Sequence, residues 1–278
     1  DFVDVDSDKW QQYADQKSWP MSWLYRRESR YLLAYEKMLS EEFDAGLFVS
    51  SAEAEHFKSM SPETAHKISF YNNGVNTEYF SPSAEQDNPY PAGSSVVVFT
   101  GAMDYWPNVD AVVWFVNDIF PALRARCPDI LFYIVGGNPT KAVTRLSSVP
   151  GVTVTGRVED IRPYMHFAVA AVAPMRVARG VQNKVLEGMA MEKPVVLSSK
   201  GLEGIDATHT EHLLIADEIA EYVEHLDHLM KGAYPEMGKA ARQYVTRHFN
   251  WEENLPEVVF LLEQPQKAVN KARFITDE

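Results

Sequence analysis

The stretch Val96-Val-Val-Phe-Thr-Gly101 begins the most regular part of this sequence of 278 residues. It is the first of six apolar segments, and stretches with helical spacing separate most of them. The six segments span residues 96–101, 130–137, 152–156, 168–174, 194–198 and 212–216. Continuous apolar strands that alternate with helices are typical of a parallel sheet covered on both faces. Six strands are too few for a closed barrel of eight, so we predict an open, doubly wound α/β sheet.

Further elements are predicted on both sides of this region. Leu24, Tyr31, Tyr35 and Met38 recur at helical spacing within a longer helical stretch. Helices are predicted at residues 20–45, 108–126, 217–230, 235–248 and 251–263. Additional strands are predicted at residues 1–7, 46–50 and 67–71. Residues 81–95 are rich in proline and serine, also contain Asn88 and Gly93, and show no periodicity, and we predict a linker between domains there.

The composition excludes several classes of protein. The chain is 46% hydrophobic and 23% charged, as in ordinary globular proteins. Its formal net charge of −13 argues against a nucleic-acid partner. No apolar run reaches the roughly 18 residues that span a bilayer. A single cysteine, Cys127, excludes an internal disulfide, and without a visible signal peptide we expect a cytoplasmic protein.

Glycines follow three of the predicted strands, at Gly101, Gly136-Gly137 and Gly156. Ligands of open α/β sheets bind at the carboxyl ends of the strands, where glycine lets the backbone approach a ligand closely. Together, these glycines predict a ligand-binding site at the carboxyl edge of the sheet. Taken singly, each glycine is explained as well by an ordinary turn. None belongs to a dinucleotide-binding or Walker motif.

A basic cluster follows the fourth segment of the sheet. Arg176, Arg179 and Lys184 occur within nine residues that hold no acid, and Gly180 lies where we predict the next helix to begin. Free N–H groups at a helix start, together with these cations, predict a diphosphate site. Glu187 shares a helix face with Lys184 and is placed to accept hydrogen bonds from a ribose. The alternative is a surface Lys–Glu pair beside scattered arginines.

Other catalytic patterns have little support. The pairs His209/His212 and His225/His228 have a spacing that zinc ligands adopt, but no third ligand is patterned near either pair. Hydrolase and metalloprotease motifs are missing from the sequence. We therefore predict no metal site and no cofactor.

Several motifs resemble those of the group 1 glycosyltransferases, which have the GT-B fold. The motifs are Asn72-Asn-Gly-Val-Asn-Thr-Glu-Tyr-Phe80, Leu131-Phe-Tyr-Ile-Val-Gly-Gly137, Val154-Thr-Gly-Arg-Val158 and Lys184-x-x-Glu187-Gly-Met-Ala-Met-Glu-Lys-Pro-Val-Val196. The stretches Asp4–Trp10 and Gly101–Asp110 further resemble the branch of sugar transferases associated with exopolysaccharide and PEP-CTERM/exosortase systems.

The resemblance implies a role for each matched residue. Glu187 would bind the ribose of a nucleotide-sugar donor. Lys184 and the N–H groups of Gly180 and Val181 would hold the diphosphate, and Arg157 and Val158 would frame the base. No metal is implied, because basic groups neutralise the leaving diphosphate.

The sequence departs from the family pattern in three places. The usual Arg and Lys after the first strand of the C-terminal domain are missing, with Ala102 and Pro107 near those positions, and Arg176 and Arg179 would compensate. Arg179 occupies the position of the family's first Glu, so we name no catalytic residue. Glu192 replaces a glycine at a predicted helix end, where other residues are strained.

The resemblance also implies the domain organisation. Residues 1–80 would be the C-terminal part of an N-terminal, acceptor-side Rossmann-like domain, most of which we expect to precede residue 1. Residues 96–248 would be the donor-binding Rossmann-like domain. Residues 249–264 would form a helix that crosses back to the N-terminal part, followed by a loosely ordered tail, 265–278.

The implied function is transfer of a hexose, with retention of configuration, from a nucleotide-diphosphate sugar to a polysaccharide or lipid-linked acceptor. We expect this reaction at the inner face of a bacterial membrane, with any peripheral contact made by the preceding domain. Two alternatives stay open: a GT-B-like nucleotide-sugar epimerase, and a non-catalytic fragment or subunit that binds nucleotide sugars.

Overall fold

A computed structural model describes residues 1–82, 86–178 and 180–263 of the chain. The described residues form two compact units. The first unit contains Asp1–Gly74, residues 180–181 and residues 251–263. The second contains Val75–Ala178 and Gln182–Asn250.

The N-terminal part of the first unit combines three α-helices with a two-stranded parallel sheet. In chain order these elements are α1 (Asp6–Asp15), α2 (Met21–Glu42), β1 (Gly46–Phe48), α3 (Ser51–Met60) and β2 (Ile68–Phe70). A 3₁₀ helix, Pro62–Lys67, precedes β2. The buried core of the first unit is formed by the side chains of Val5, Phe48, Ala54, Phe57 and Ile68.

The predicted strand over residues 1–7 is wrong. Only Val3 bridges to Phe48 in a strand-like pairing, and α1 begins at Asp6. The Val5 N–H donates instead to the Glu53 carboxylate at 2.7 Å, which satisfies this backbone group outside a sheet.

The second unit is built on a six-stranded sheet in which all pairs are parallel. Its strands are β3 (Val96–Thr100), β4 (Leu131–Val135), β5 (Val152–Gly156), β6 (Ala170–Ala173), β7 (Val195–Leu197) and β8 (Leu214–Ile215). The strand order is β5-β4-β3-β6-β7-β8. Every residue of β3 is buried, as expected for a central strand covered on both faces. The predicted doubly wound α/β sheet is confirmed.

Helices cover this sheet. They are α4 (Trp106–Trp114), α5 (Phe120–Arg126), α6 (Lys141–Leu146), α7 (Arg162–Phe167), α8 (Asn183–Ala190), α9 (Ile219–Met230) and α10 (Met237–His248). The helix predicted over residues 108–126 is interrupted by a π-helical turn, Phe115–Ile119. Pro121 follows this turn and lacks the N–H that an unbroken α-helix would need, which accounts for the interruption.

The units divide after Gly74, before the predicted linker at residues 81–95. The segment that follows Gly74 is bound to the second unit. Arg242 donates to the carbonyls of Thr77 and Phe80, and the Tyr90 hydroxyl donates to the Tyr164 carbonyl at 2.5 Å. The polar residues that predicted a linker at 81–95 therefore belong to a segment that lies along the second unit. Three residues of this segment, 83–85, are outside the described part of the chain.

The last helix, α11 (Trp251–Glu263), groups with the first unit. The Asn254 amide donates to the Asn72 carbonyl at 2.9 Å, and the Trp251 ring lies against Gly74. The predicted tail, 265–278, lies outside the described residues.

Candidate functional site

Gly101, Gly136 and Gly137 meet at the carboxyl ends of β3 and β4. The Gly101 N–H donates to the Val135 carbonyl at 3.1 Å, and the Met103 N–H donates to the Gly137 carbonyl at 2.8 Å. A Cβ at position 136 would collide with the Gly101 carbonyl oxygen. Glycine at 136 is therefore required by backbone packing, and the three glycines form a dense floor at the sheet edge, which we call the glycine floor.

Lys184, in the first turn of α8, reaches this floor. Its Nζ donates to Asn108 Oδ1 at 2.9 Å and lies 5.3 Å from the centre of the Phe99 ring. Its Cε lies 3.5 Å from the position that a Cβ on Gly101 would take. Burial lowers the pKa of Lys184 to about 8, an effect that the nearby Glu187 carboxylate partly opposes.

Asn108 holds the lysine in place, and sequence reasoning missed it. Its side chain is buried, accepts from Lys184 and donates through Nδ2 to the Ala102 carbonyl at 3.0 Å. Asparagine is a weak helix former that prefers local hydrogen bonds to the backbone. Its place directly after Pro107 in an apolar helix was the available signal.

Glu187 lies one turn after Lys184 on α8. Burial raises the pKa of its carboxyl, and the Lys184 ammonium lowers it in part. The predicted sharing of one helix face is thus confirmed, and the pair is set into the protein at the sheet edge. A carboxylate in such a setting gains strongly from a hydroxyl donor supplied by a ligand.

Arg176 has a different partner from the one predicted. Its Nε donates to Asp110 Oδ2 at 2.9 Å, a second guanidinium N–H donates to Oδ1, and its Cζ lies 5.5 Å from the Trp114 ring centre. This two-point pair occupies the planar fork of the guanidinium. The predicted contribution of Arg176 to a diphosphate site is not supported by this arrangement.

The loop ahead of α8 also differs from the prediction. Gly180 does not begin the helix: its φ of +64° is left-handed, and α8 starts at Asn183 after the N-cap Gln182. Gly180 and Val181 group with the first unit, whereas the Lys184 cluster belongs to the second. Arg179 lies outside the described residues.

Arg157 and Val158 follow β5 at the same sheet edge. The Arg157 Cβ lies 3.7 Å from the Cβ position of Gly137, and its side chain is exposed. Val158 is half-buried beside it in sequence. The structure therefore brings Arg157 to the glycine floor, which Lys184 also reaches.

Glu192 has the strained backbone that its position predicts, with a φ of +56° just beyond α8. Its carbonyl oxygen lies so close to Gly238 that a Cβ there would collide with it. Nothing in the structure explains why glutamate replaces glycine at 192.

The two histidines of the first pair, His209 and His212, are engaged in local backbone contacts. Nδ1 of His209 accepts from the Ile215 N–H at 2.9 Å, and Nδ1 of His212 accepts from the Thr208 N–H at 3.0 Å. Among residues 1–82, 86–178 and 180–263, no group of three or more His, Cys, Asp or Glu is placed to hold a metal ion. In the same part of the chain, no helix has the length and apolar character of a membrane span.

Solved structures share the fold. A glycosyltransferase from Rickettsia africae aligns with a TM-score of 0.65 at 15% identity, over 81% of this chain and 63% of that one. Sucrose-phosphate synthase from Thermosynechococcus elongatus aligns with a TM-score of 0.70 at 21% identity, over 84% and 61%. Anabaena Alr3699/HepE, in complex with UDP, aligns with a TM-score of 0.71 at 16% identity, over 85% and 68%.

A curated relative comes from Klebsiella pneumoniae. It is described as an uncharacterized 44.6 kDa protein in the cps region and is 24% identical over 138 residues. The match covers 47% of this chain and 36% of the relative. This chain therefore spans about a third of that protein, and less than two thirds of the Rickettsia and Thermosynechococcus chains.

A family model described as "Glycosyl transferases group 1" matches residues 94–232, half of the chain. The matched region contains the sheet from β3 to β8 and the glycine floor with Lys184 and Glu187. The chain belongs to the group 1 glycosyltransferases.

Proposed function

We propose that this chain binds a nucleotide-diphosphate sugar and acts in a retaining glycosyltransferase, which transfers a hexose to a polysaccharide or lipid-linked acceptor. The proposal rests on the environment of Lys184. A half-buried lysine of lowered pKa lies at the carboxyl edge of a parallel sheet, held by Asn108 against the glycine floor. A ligand that brings negative charge to this edge restores the favourable environment that burial removes from the ammonium.

The diphosphate of the donor supplies that charge. In the proposed complex Lys184 donates to a phosphate oxygen, and Glu187 accepts from the ribose hydroxyls one helical turn away. Arg157 and Val158 frame the base beyond Gly137. The further N–H donors at Gly180 and Val181 stay a prediction from the family resemblance.

The chemistry follows from where charge develops. The bond between the anomeric carbon and the diphosphate oxygen breaks, and the electron pair leaves with the diphosphate. The acceptor hydroxyl attacks on the face that the diphosphate leaves, and its proton passes to a phosphate oxygen. Configuration is thereby retained. Lys184 acts on this step because its ammonium stabilises the charge that builds on the leaving group.

The comparisons support the choice of ligand class and pathway. Alr3699/HepE has been solved with UDP and with UDP-glucose, which makes UDP the first probe for this chain. The Klebsiella relative is a protein of the cps region, which agrees with a role in exopolysaccharide synthesis. The bound ligands are those of Alr3699/HepE, and the cps region is that of the Klebsiella protein. Nucleotide binding by this chain has to be measured directly.

Thermal unfolding with UDP, GDP, ADP and CMP tests the proposal. A ligand present at about one hundred times its Kd stabilises the folded state by about 2.7 kcal/mol. For a protein of this size that corresponds to a rise in Tm on the order of 5–10 °C. One diphosphate is expected to give this shift, and no shift with any of the four would contradict the proposal.

Product analysis then separates enzyme classes. Arg179, in place of the family's first Glu, favours a non-catalytic nucleotide-sugar-binding protein as the second candidate. Incubation with donor and a polysaccharide acceptor yields a glycosylated product only if transfer occurs. Binding of the donor without transfer, in the full-length protein, would support the second candidate, and conversion of donor alone would identify an epimerase.

A further inference from the structure

Strand β8 is the last strand at one side of the six-stranded sheet, and in the described part of the chain no strand pairs with its outer side. The N–H of Ala216, just after β8, donates to the Leu197 carbonyl of β7 at 2.8 Å. Backbone groups point to alternate sides along a strand, so the N–H and C=O of Ile215 point away from β7. Unpaired groups on such a strand are a template for pairing with another chain.

Two histidines cover the outward groups of Ile215. Nδ1 of His209 accepts from the Ile215 N–H at 2.9 Å, and Nε2 of His225, on α9, donates to the Ile215 carbonyl at 3.2 Å. The centres of the two imidazole rings are 5.6 Å apart. Just before β8, the Thr210 N–H donates to the Leu213 carbonyl at 2.8 Å. Side chains and a turn therefore take the place of a further strand, and we call His209 and His225 the histidine cover.

The histidine cover requires neutral rings. An imidazole nitrogen that accepts a hydrogen bond carries no proton, so His209 covers the Ile215 N–H only in its neutral form. Nδ1 of His225 is buried and has no hydrogen-bond partner among the described residues. Burial lowers the pKa of His225, the bond to Ile215 opposes this in part, and the His209 ring adds to the lowering. Protonation of either ring therefore acts against the cover.

Two glutamates of α9 act on His225. Glu224 and Glu221 favour its protonated form, but burial has the larger effect. Glu221 is fixed at the start of α9, where its carboxylate accepts from the N–H groups of Asp217 and Glu218 at 2.8 and 3.0 Å. These acids therefore reduce the cost of protonating His225 without removing it.

A third histidine, His212, acts on the same turn. Its Nδ1 accepts from the Thr208 N–H at 3.0 Å, and its Nε2 lies 3.8 Å from Glu211 Oε1. Its ring lies against Tyr244 of α10, which in turn lies against His248. The turn thus loses a second acceptor when the pH falls, and Glu211 is placed to stabilise the imidazolium that forms.

We propose that the histidine cover is pH-sensitive and releases the outer side of β8 when the pH falls. The Ile215 N–H loses its acceptor when His209 takes up a proton, and the exposed His209 side chain is then solvated by water. The uncovered strand becomes open to pairing with an extended segment of polypeptide. The inference concerns the second unit alone and holds whether or not the chain binds a nucleotide sugar.

Hydrogen exchange of the Ile215 amide, measured by NMR relative to the intrinsic rate at each pH, tests the proposal. A free imidazole at pH 5.5 is about ten parts protonated to one part neutral. The open form is therefore favoured about tenfold relative to pH 7.5, and we expect the protection of Ile215 to fall about tenfold. The amide of Val98, in the central strand β3, is expected to keep its protection, which separates local opening from unfolding of the sheet.

Substitutions at position 209 separate pH sensitivity from a purely structural role. His209→Gln supplies a side-chain carbonyl that accepts a hydrogen bond and does not titrate. We expect it to protect Ile215 at pH 5.5 at least threefold better than the wild type does. His209→Ala is expected to protect Ile215 poorly at both pH values, and circular dichroism checks that the variants are folded.

His228→Gln is the matched control, because it removes a histidine from α9 outside the cover. It is expected to show the same tenfold change as the wild type. Unchanged protection of Ile215 in the wild type, or an equal fall in His209→Gln, would overturn the proposal. So would a His209→Ala variant that protects Ile215 as well as the wild type at pH 7.5.

Discussion

A half-buried lysine lies at each end of the strands of the six-stranded sheet, and the surroundings of the two lysines differ. Lys184 lies at the carboxyl edge, bound to the Asn108 side chain beside the glycine floor. Lys193 lies near the amino end of β6 and donates to the Ala168 carbonyl at 3.3 Å. Burial lowers the pKa of both ammonium groups, and each has a glutamate nearby.

The comparison shows that a lowered pKa does not by itself mark a binding site. Position at the carboxyl edge distinguishes Lys184, because the strand ends of a parallel sheet leave a crevice there for a ligand. A side-chain amide that fixes the ammonium further distinguishes it from Lys193, whose partner is a main-chain carbonyl. Substitutions at the glycine floor and at the two lysines are therefore expected to have different effects on stability and on UDP binding.

The largest effect is expected at the glycine floor. Gly136→Ala places a methyl group onto the Gly101 carbonyl and is expected to lower the free energy of unfolding by about 3 kcal/mol. Gly137→Ala meets only the Arg157 side chain at 3.7 Å and is expected to cost less than about 1 kcal/mol. Urea unfolding measures both. A similar cost for the two variants would show that the edge adjusts and is not densely packed.

The next effect concerns stability without ligand. Because burial lowers the pKa of Lys184 from 10.5 to about 8, the unfolded chain binds more protons than the folded one between those values. The free energy of unfolding should therefore rise with pH from about 8 to about 10.5, as far as this group contributes. Below about pH 8 the charged Lys184 lowers the free energy of unfolding by its full amount, which is at most about 3.4 kcal/mol.

Lys184→Met is accordingly expected to raise the Tm of the free protein at neutral pH and to reduce the rise in stability above pH 8. Thermal unfolding across this pH range measures both effects. If Lys184→Met is less stable than the wild type, then Lys184 does not destabilise the free protein, and this explanation of its lowered pKa is contradicted.

Asn108 is expected to influence binding through Lys184. Asn108→Ala leaves the ammonium without its acceptor and should weaken UDP binding about tenfold, as for loss of a hydrogen bond to a charged group. Asn108→Asp places a carboxylate beside Lys184 and should raise the pKa of the lysine, moving the loss of binding at alkaline pH to higher values. Calorimetric titration at several pH values measures this. Weakened binding with an unchanged pH profile in Asn108→Asp would assign Asn108 a structural role only.

The smallest effect is expected at Arg176. Its guanidinium is paired with Asp110, so Arg176→Gln should change UDP affinity by less than about threefold, well under the effect of losing a charged hydrogen bond to the ligand. Fluorescence or calorimetric titration with UDP measures it. A loss of tenfold or more would show that Arg176 leaves Asp110 to bind the diphosphate, as the sequence prediction had it.

Local sequence patterns predicted the second unit well and the contacts between distant residues poorly. The apolar runs that became β3, β4 and β6 identify strands because a buried parallel strand must be apolar on both faces. The pairing of Lys184 with Asn108, and of Arg176 with Asp110, joins residues 76 and 66 positions apart. Opposite charges and amides occur throughout the chain, so sequence alone does not specify such pairs.

The first unit shows a different limit. Leu24, Tyr31, Tyr35 and Met38 correctly predicted that α2 is a helix, and the structure exposes all four. Periodicity reports that a helix has two faces, and tertiary contacts decide which face is buried. The start of α8 was misplaced for a related reason: glycine fits a helix start and a left-handed turn equally well, and Gly180 adopts the turn.

The most direct test of the central claim compares Lys184→Met with Lys193→Met in thermal unfolding with UDP. Both variants remove a half-buried ammonium of lowered pKa from the region of α8, but from opposite ends of the strands of the sheet. With UDP at about one hundred times its Kd, we expect Lys193→Met to keep the wild-type rise in Tm and Lys184→Met to lose it. Retention of the full rise in Lys184→Met, or its loss in both variants, would contradict a diphosphate site at the carboxyl edge.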